Sequence, residues 1–161
     1  MIEVNLTEFV LRGTFGPFKR EMTRAQIVAI LGPDDQGNYP DHAGYGNLVF
    51  DCVNLYGPPN RIQIAFPHAT YRRDPPCTWM NSWPDNRLKW VLGCLQPELT
   101  IPALKVSLPE LSSIIIEEGT RYPQGRLITA WVPWTGVDLT FESETDEDVP
   151  TLSCISGYAN K

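Results

Sequence analysis

Histidine, the side chain that most often acts as a general acid or base, occurs twice in this 161-residue sequence, as His42 and His68. His42 directly follows Asp41, and an imidazole beside a carboxylate is a pairing that acid–base catalysts use. Catalysis would also need a second positioned group and a pocket, and the sequence contains no nucleophile elbow, phosphate-binding loop or zinc-protease motif. We therefore interpret His42 as a loop histidine with a local hydrogen bond, and we expect that the protein is not an enzyme.

The four cysteines raise the question of metal binding or disulfide formation. Cys52, Cys77, Cys94 and Cys154 are separated by 25, 17 and 60 residues, whereas a zinc site needs closely spaced pairs. The N-terminal residues are acidic and do not resemble a secretory signal, so we expect a cytoplasmic protein whose thiols stay reduced. The sequence thus predicts no metal and no other cofactor, with Cys52 and Cys154 buried in strands.

Carboxylates are concentrated at residues 142–148, where five of seven side chains are acidic: Glu142, Glu144, Asp146, Glu147 and Asp148. The regular alternation and central glycine of a calcium-binding EF-hand loop are absent. Two interpretations remain open, a solvated hairpin loop and a surface that docks a basic partner. The formal net charge of −6 agrees with both and argues against nucleic acid or an anionic membrane as the main partner.

Tryptophans form the third group of interest, because exposed tryptophan is a frequent anchor of protein interfaces. We expect Trp131 to lie in the core. Trp79 and Trp83 lie among Asn, Ser, Pro and Asp residues, so they are either partner-binding anchors or packed locally within a loop. The predicted partner-binding set combines these two anchors with a polar and acidic rim: Tyr39, Asp41, Glu144, Asp146 and Glu147.

The elements that must position these residues begin with a helix over 24–31. Thr23 and Gln26 have the spacing of a reciprocal capping box, and Gly32 followed by Pro33 ends the helix. Alternating apolar residues predict strands over 8–14, 47–54 and 61–67.

The second half of the chain shows a similar order. The run Ser107-Leu108-Pro109-Glu110 has another capping-box pattern, so we expect a helix that buries Leu111, Ile114 and Ile115 and ends at Gly119. Strands are predicted over 127–132, 137–142 and 151–156. The apolar run over 88–95 is expected to be a strand that joins or bridges two sheets.

An offset of 91 residues aligns parts of the two halves. The run Leu48-Val49-Phe50-Asp51 corresponds to Leu139-Thr140-Phe141-Glu142, and Ile64 corresponds to Ile155. Alternating strands also match by chance, so a tandem repeat and a coincidence both remain open. We predict an α+β fold of two small helix-on-antiparallel-sheet units over 1–70 and 105–161, connected by 71–104, which can also pack as one domain.

The first unit resembles a known module. Residues 21–34 are similar to the Gly-Met-Thr-x-x-x-Val-x-x-x-Leu-Gly-x-Pro signature of outer-membrane assembly lipoproteins of the BamE/SmpA type and of the two-module beta-lactamase inhibitory proteins. Met22 and Thr23 match the signature, and Glu21 stands where glycine is usual. The run Tyr45-Gly46-Asn47-Leu48-Val49-Phe50 resembles the Tyr-Gly-Asp-Leu-x-Phe of many short cytosolic bacterial proteins that look like immunity proteins of toxin–immunity systems.

The resemblance implies a protein-binding module that holds its partner on the open face of its sheet. We expect an immunity protein that neutralises a cognate bacterial toxin by protein–protein contact, and a toxin with a basic active-site surface would suit the negative charge. The alternative is a non-inhibitory BamE-like scaffold or assembly module, whose lipoprotein form would need a leader and an early cysteine. In both cases the expected partner is a protein, neither nucleic acid nor membrane.

Overall fold

The computed structural model describes residues 1–34, 41–52, 60–66, 88–120 and 124–161, and all structural statements concern these residues. Its elements follow in chain order: β1 (Ile2–Asn5), α1 (Leu6–Arg12), α2 (Arg24–Leu31), β2 (His42–Tyr45), β3 (Leu48–Asp51), β4 (Arg61–Ala65), β5 (Leu88–Val91), α3 (Ile101–Ser107), a 3-10 helix (Pro109–Ser113), β6 (Ile115–Thr120), β7 (Arg126–Val132), β8 (Val137–Glu142) and β9 (Thr151–Tyr158). The fold is α+β, as predicted. Within the described ranges, no helix has the length and apolar character needed to cross a membrane.

Seven strands form one antiparallel sheet in the order β2-β3-β4-β9-β8-β7-β6, and β1 pairs with β5 in a separate parallel sheet of two strands. At the centre of the large sheet, β4 from the first half of the chain is hydrogen-bonded to β9 from the second. The sheet is therefore continuous across the two units that the sequence predicts. The boundaries of those units, 1–70, 71–104 and 105–161, stay a prediction.

The strand register at the centre of the sheet follows the 91-residue offset. Leu48 pairs with Ile64 in β3–β4, and Leu139 pairs with Ile155 in β8–β9. Ile64 and Ile155 are themselves cross-strand partners. These three pairings are the ones expected if the hairpins β3–β4 and β8–β9 are related by a two-fold axis that passes between Ile64 and Ile155. A register shift within β8 interrupts the correspondence further along the strand.

One face of the large sheet is buried. In β8, the alternate residues Val137, Leu139 and Phe141 are fully buried, and they belong to the same hydrophobic core as Phe9 of α1 and Ile27 of α2. The intervening residues of β8 are partly exposed. Because successive side chains of a strand point to opposite faces, the sheet has one face in the core and one open face.

The predicted helix over 24–31 is confirmed as α2, together with its capping box. The Thr23 hydroxyl accepts a hydrogen bond from the Gln26 backbone N–H, and the Gln26 side chain accepts one from the Thr23 N–H at 2.8 Å. Gly32 follows the helix with φ of 83°, a conformation that favours glycine. The Tyr45 hydroxyl donates to the Gly32 carbonyl at 2.9 Å, which fixes the end of α2 to β2.

The predicted strand over 8–14 is wrong, because residues 8–12 belong to α1 and Gly13 follows its end. The Asn5 side chain accepts a hydrogen bond from the first turn, and Gly13 ends the helix in the left-handed conformation. Leu6, Phe9 and Val10 are buried, and their spacing of three and four residues is the helical one. Alternation of apolar residues over a short segment is compatible with both a strand and a helix. In this segment the two caps and the helical spacing of the buried residues favour the helix.

The predicted helix after residue 107 is correct only over its first residues, where Leu111 and Ile114 are buried as expected, and it is wrong from Ile115 onward. α3 begins after Thr100, whose hydroxyl accepts from the Ala103 N–H, and it ends where the new helix was expected to begin. The 3-10 helix Pro109–Ser113 follows, and then the strand β6. The β-branched run over 114–116 favours an extended backbone. Ile115, which we expected to be buried, is 44% exposed.

Residues 88–91 of the apolar run over 88–95 form a strand, but this strand does not bridge two antiparallel sheets. β5 lies parallel to β1, with Leu88 opposite Ile2 and Val91 opposite Asn5. Its Trp90 is buried, with the ring centroid 6.1 Å from that of Phe15. The small parallel sheet therefore adds Trp90 to the aromatic residues that surround Phe15 in the core.

Candidate functional site

The predicted partner-binding residues fall in three places. Tyr39, Trp79 and Trp83 lie outside the described residues. Asp41 is exposed and precedes β2 at one edge of the large sheet. The other acidic residues, Glu144, Asp146 and Glu147, lie in the loop between β8 and β9, near the middle of the sheet. The fold brings these last three together, but it does not bring Asp41 beside them.

The loop between β8 and β9 is held to the start of β7 by hydrogen bonds. Asp146 accepts from the Gly125 N–H at 3.1 Å. The buried Ser143 hydroxyl accepts from the Arg126 N–H at 2.9 Å and donates to the Thr145 carbonyl at 2.8 Å. Asp146 therefore has a structural role, whereas the side chain of Glu147 is exposed. Within the described residues, no group of three or more His, Cys, Asp or Glu side chains is placed to hold a metal ion.

The partner of His42 is Asp51 on the neighbouring strand. His42 Nδ1 lies 3.2 Å from Asp51 Oδ1, a cross-strand pair in the β2–β3 register. Neither of these two atoms has the alignment of a hydrogen bond in this arrangement. The two side chains are close enough to form an ion pair when His42 is protonated. The partner of His42 is thus Asp51 and not Asp41, its neighbour in the sequence.

The three described cysteines, Cys52, Cys94 and Cys154, are free thiols. Burial raises the pKa of Cys52 to about 11, and it raises the pKa of Cys154 to about 11 as well. Burial also raises the pKa of Cys94. Because the thiolate is the reactive form, these side chains are poor nucleophiles at neutral pH. Cys52 and Cys154 are half-buried instead of fully buried.

A row of five side chains crosses the open face of the sheet from β4 to β6. Gln63, Ser156, Asp138, Trp131 and Ile115 are successive cross-strand partners along this row. Residues directly opposite each other on antiparallel strands point to the same face. The row is polar at the centre of the sheet and becomes apolar towards the β6 edge.

Trp131 was expected in the core, and that prediction is wrong. Its neighbours in alternation, Ile128, Ala130 and Val132, are buried, so Trp131 points to the open face and is 42% exposed. Ile115 beside it is 44% exposed. The buried alternation of β7 was visible in the sequence and would have placed Trp131 outside. The prediction of a core position depended only on the fact that tryptophan is a large aromatic residue.

Trp131 and Ile115 line a shallow groove of about 460 Å³ on the open face. The other side chains that line it come from four strands: Arg61, Glu117, Thr129, Asp138 and Thr140. The groove thus combines apolar surface, two threonine hydroxyls and three charged groups. Such a mixture of an apolar surface with a few placed polar groups is typical of binding sites.

The charges of the groove are partly paired. An Arg61 Nη donates to Asp138 Oδ2 at 3.2 Å and to the Ser156 hydroxyl at 2.8 Å, and that hydroxyl donates to Asp138 Oδ1 at 2.8 Å. These three side chains form a closed network. The side chain of Glu117 makes no hydrogen bond or ion pair with any residue that the structure describes. One arginine and two carboxylates leave the groove with one excess negative charge.

The strand β6 forms one edge of the sheet, and all six of its residues are exposed. Its side chains alternate between the two faces. Glu117 faces the groove, whereas Glu118 faces the other side and accepts from Arg126 Nε at 2.7 Å. This hydrogen bond to Arg126 lowers the pKa of Glu118. The two adjacent glutamates therefore differ in face and in partner.

The turn between β7 and β8 is fixed to α1. The Trp134 indole N–H donates to the Leu11 carbonyl at 3.0 Å, and the Thr135 hydroxyl donates to the Val10 carbonyl at 2.9 Å. Trp134 is half exposed, but its polar group is already used within the chain. These two bonds hold the hairpin that carries Trp131.

Three comparisons with known proteins found no relative of this chain. The chain matches no family model, no curated protein and no solved structure.

Proposed function

We propose that this protein binds a partner protein on the open face of its seven-stranded sheet and that it acts as an immunity protein, neutralising a toxin by contact. The observation that supports the proposal is the exposure of Trp131 and Ile115, 42% and 44%, side by side on the face that the core leaves uncovered. Exposed apolar side chains that are adjacent, with polar groups around them, are typical of protein-binding surfaces.

Charge supports a basic partner. The chain has a formal net charge of −6, the groove has one excess carboxylate, and Glu147 adds an exposed carboxylate in the loop between β8 and β9. A toxin that acts on an anionic substrate such as nucleic acid carries a basic active-site surface. An acidic binding protein would approach such a surface faster and cover it.

The proposal requires no catalysis by this chain, and it places the protein in the cytoplasm, where a producing cell would meet its own toxin. It adds Trp131 and Ile115 to the interface anchors. Trp79, Trp83 and Tyr39 stay predicted contacts. Asp41 is the least favoured of the predicted set, since it precedes the strand at the opposite edge of the sheet from β6.

The test is neutralisation of a toxin, and the product of a neighbouring gene is the first candidate to try. Cells that express the toxin should survive when they also produce the wild-type protein, and the two proteins should purify together. Trp131→Lys should abolish survival and co-purification, because it removes the anchor and repels a basic surface. Val106→Lys places the same residue at another exposed position, on α3, and should leave both results unchanged.

The outcomes separate the candidate functions. Co-purification with full toxin activity in the complex would indicate the alternative, a non-inhibitory scaffold or assembly module of the BamE-like class. Absence of both binding and survival with the wild-type protein would refute the immunity proposal. Equal loss from Trp131→Lys and Val106→Lys would leave the immunity function standing and contradict its assignment to the open face.

A further inference from the structure

The walls of the groove have a defined order. Ile115 lies opposite Trp131, and Glu117 lies opposite Thr129, which is in turn opposite Thr140. Trp131 and Glu117 are therefore diagonal neighbours on adjacent strands, with an aromatic ring and a carboxylate at the same end of the groove. Diagonal side chains on adjacent strands are within reach of each other when they are long or aromatic.

The charges favour a cation over an anion as the occupant. Arg61 would be the group to bind an anion, but it already donates to Asp138 and Ser156. An anion would have to compete with Asp138 for the same guanidinium. Glu117 is the charged group of the groove that has no partner among the described residues, and a cation beside it would neutralise the excess charge.

The shape and chemistry of the groove favour a side chain with an apolar stem. The exposed Trp131 ring can stack against a guanidinium or ammonium group, because cations are attracted to the face of an indole. Ile115 offers apolar surface to methylene groups, and the hydroxyls of Thr129 and Thr140 can accept further hydrogen bonds. Arginine combines a planar cation with such a stem.

We infer that the groove between β6 and β8 is a receptor for a basic side chain, an arginine or lysine presented by the partner protein, with Trp131 as its stacking surface and Glu117 as its counter-ion. That the side chain belongs to a toxin rests on the proposed function. The affinity of the groove for the cation does not depend on it.

The test uses a small probe and the isolated protein. N-acetyl-arginine amide is titrated into ¹⁵N-labelled protein, and the indole N–H signal of Trp131 is identified from its absence in Trp131→Phe. We expect a saturable shift of this signal with a millimolar dissociation constant that weakens as salt is raised. The citrulline analogue has the same shape without the charge and should produce no saturable shift.

Two adjacent glutamates supply matched variants. Glu117→Gln should weaken binding of the arginine probe by about five-fold or more. Glu118→Gln changes the same residue type on the same exposed strand, but on the opposite face, and should leave the dissociation constant unchanged. Both residues are exposed, so neither change is expected to unfold the protein.

Three outcomes would overturn the inference: equal shifts with the arginine and citrulline probes, equal effects of Glu117→Gln and Glu118→Gln, or saturable binding of acetate or phosphate in preference to the arginine probe. Each of these results is independent of toxin neutralisation. The proposed function could therefore stand with the groove assignment refuted, and cation binding could be confirmed in a protein that protects against no toxin.

Discussion

Replacing Trp131 with alanine should weaken binding of the partner by about 70-fold. A whole tryptophan side chain can bury roughly 250 Å², and 42% of Trp131 is exposed, so about 100 Å² remains for a partner to cover. At about 25 cal/mol per Å² this area contributes about 2.5 kcal/mol, which corresponds to a factor of about 70 in the dissociation constant. Most of the change should be faster dissociation.

The next residue of the same strand supplies a matched control. Val132 is fully buried on the opposite face. Val132→Ala removes two methyl groups from the core and should lower the free energy of unfolding by about 2 kcal/mol. It should leave the affinity of the folded protein unchanged. Urea denaturation gives the free energy of unfolding for both variants, and calorimetric titration with the partner gives their affinities.

Two results would refute this reasoning. A Trp131→Ala protein that binds within about three-fold of wild type would show that the partner does not cover the exposed indole. If Val132→Ala weakened binding as much as Trp131→Ala, the loss would come from perturbation of β7 as a whole. The open face would then have no special part in binding.

Four further predictions concern the fold and the thiols. Thr23→Ala should lower the free energy of unfolding by about 1 kcal/mol through loss of the helix cap, and an unchanged melting temperature would contradict that cap. Gly157→Ala should lower the free energy of unfolding by about 2 kcal/mol or more, because a Cβ there would lie 2.9 Å from a Cα of β8. Gly119→Ala is the control, since the atom nearest to its added Cβ would be 3.9 Å away, and it should change the free energy of unfolding measured by urea denaturation little. Because burial raises the pKa of Cys52 and Cys154 from 9.0 to about 11, the unfolded chain loses these protons first, so stability should fall from pH 9 to pH 11 in thermal melts. Alkylation of these two thiols in the native protein should be slow at pH 7, measured by mass spectrometry, and rates equal to those of the unfolded chain would contradict their burial.

The parts of the fold that were predicted correctly depend on local signals. α2 has its cap, its apolar positions and its C-terminal glycine within a dozen residues, so the sequence specifies it without knowledge of the rest of the chain. β8 likewise alternates cleanly, with Val137, Leu139 and Phe141 buried. In both elements the burial period matches the period of one secondary structure, and the prediction follows directly.

The strand β6, where a helix was predicted, lacks such a match. All residues of β6 are exposed on both faces, so the strand has no burial alternation to reveal it, and the preceding capping-box pattern suggested a helix instead. The pairing of β1 with β5 joins residues 86 positions apart, Ile2 with Leu88, and no local pattern encodes that contact. The groove likewise depends on contacts between residues far apart in the sequence, since strand order alone brings Arg61 and Asp138 together.

Packing and hydrogen bonds restrain the backbone that carries the open face. Trp131 lies between Ala130 and Val132, which are both fully buried, so packing on the other side of the sheet fixes the backbone that carries the indole. The hairpin turn beyond it is hydrogen-bonded to α1 through Trp134, and Arg61 is held in place by Asp138 and Ser156. A partner would therefore meet a backbone that packing already orders and an Arg61 side chain that hydrogen bonds already hold, which would reduce the conformational entropy lost on binding. If the face were flexible, much of the 2.5 kcal/mol that we attribute to the indole would be offset by that ordering. A measured loss close to the full value would thus support both the location of the site and its pre-organisation.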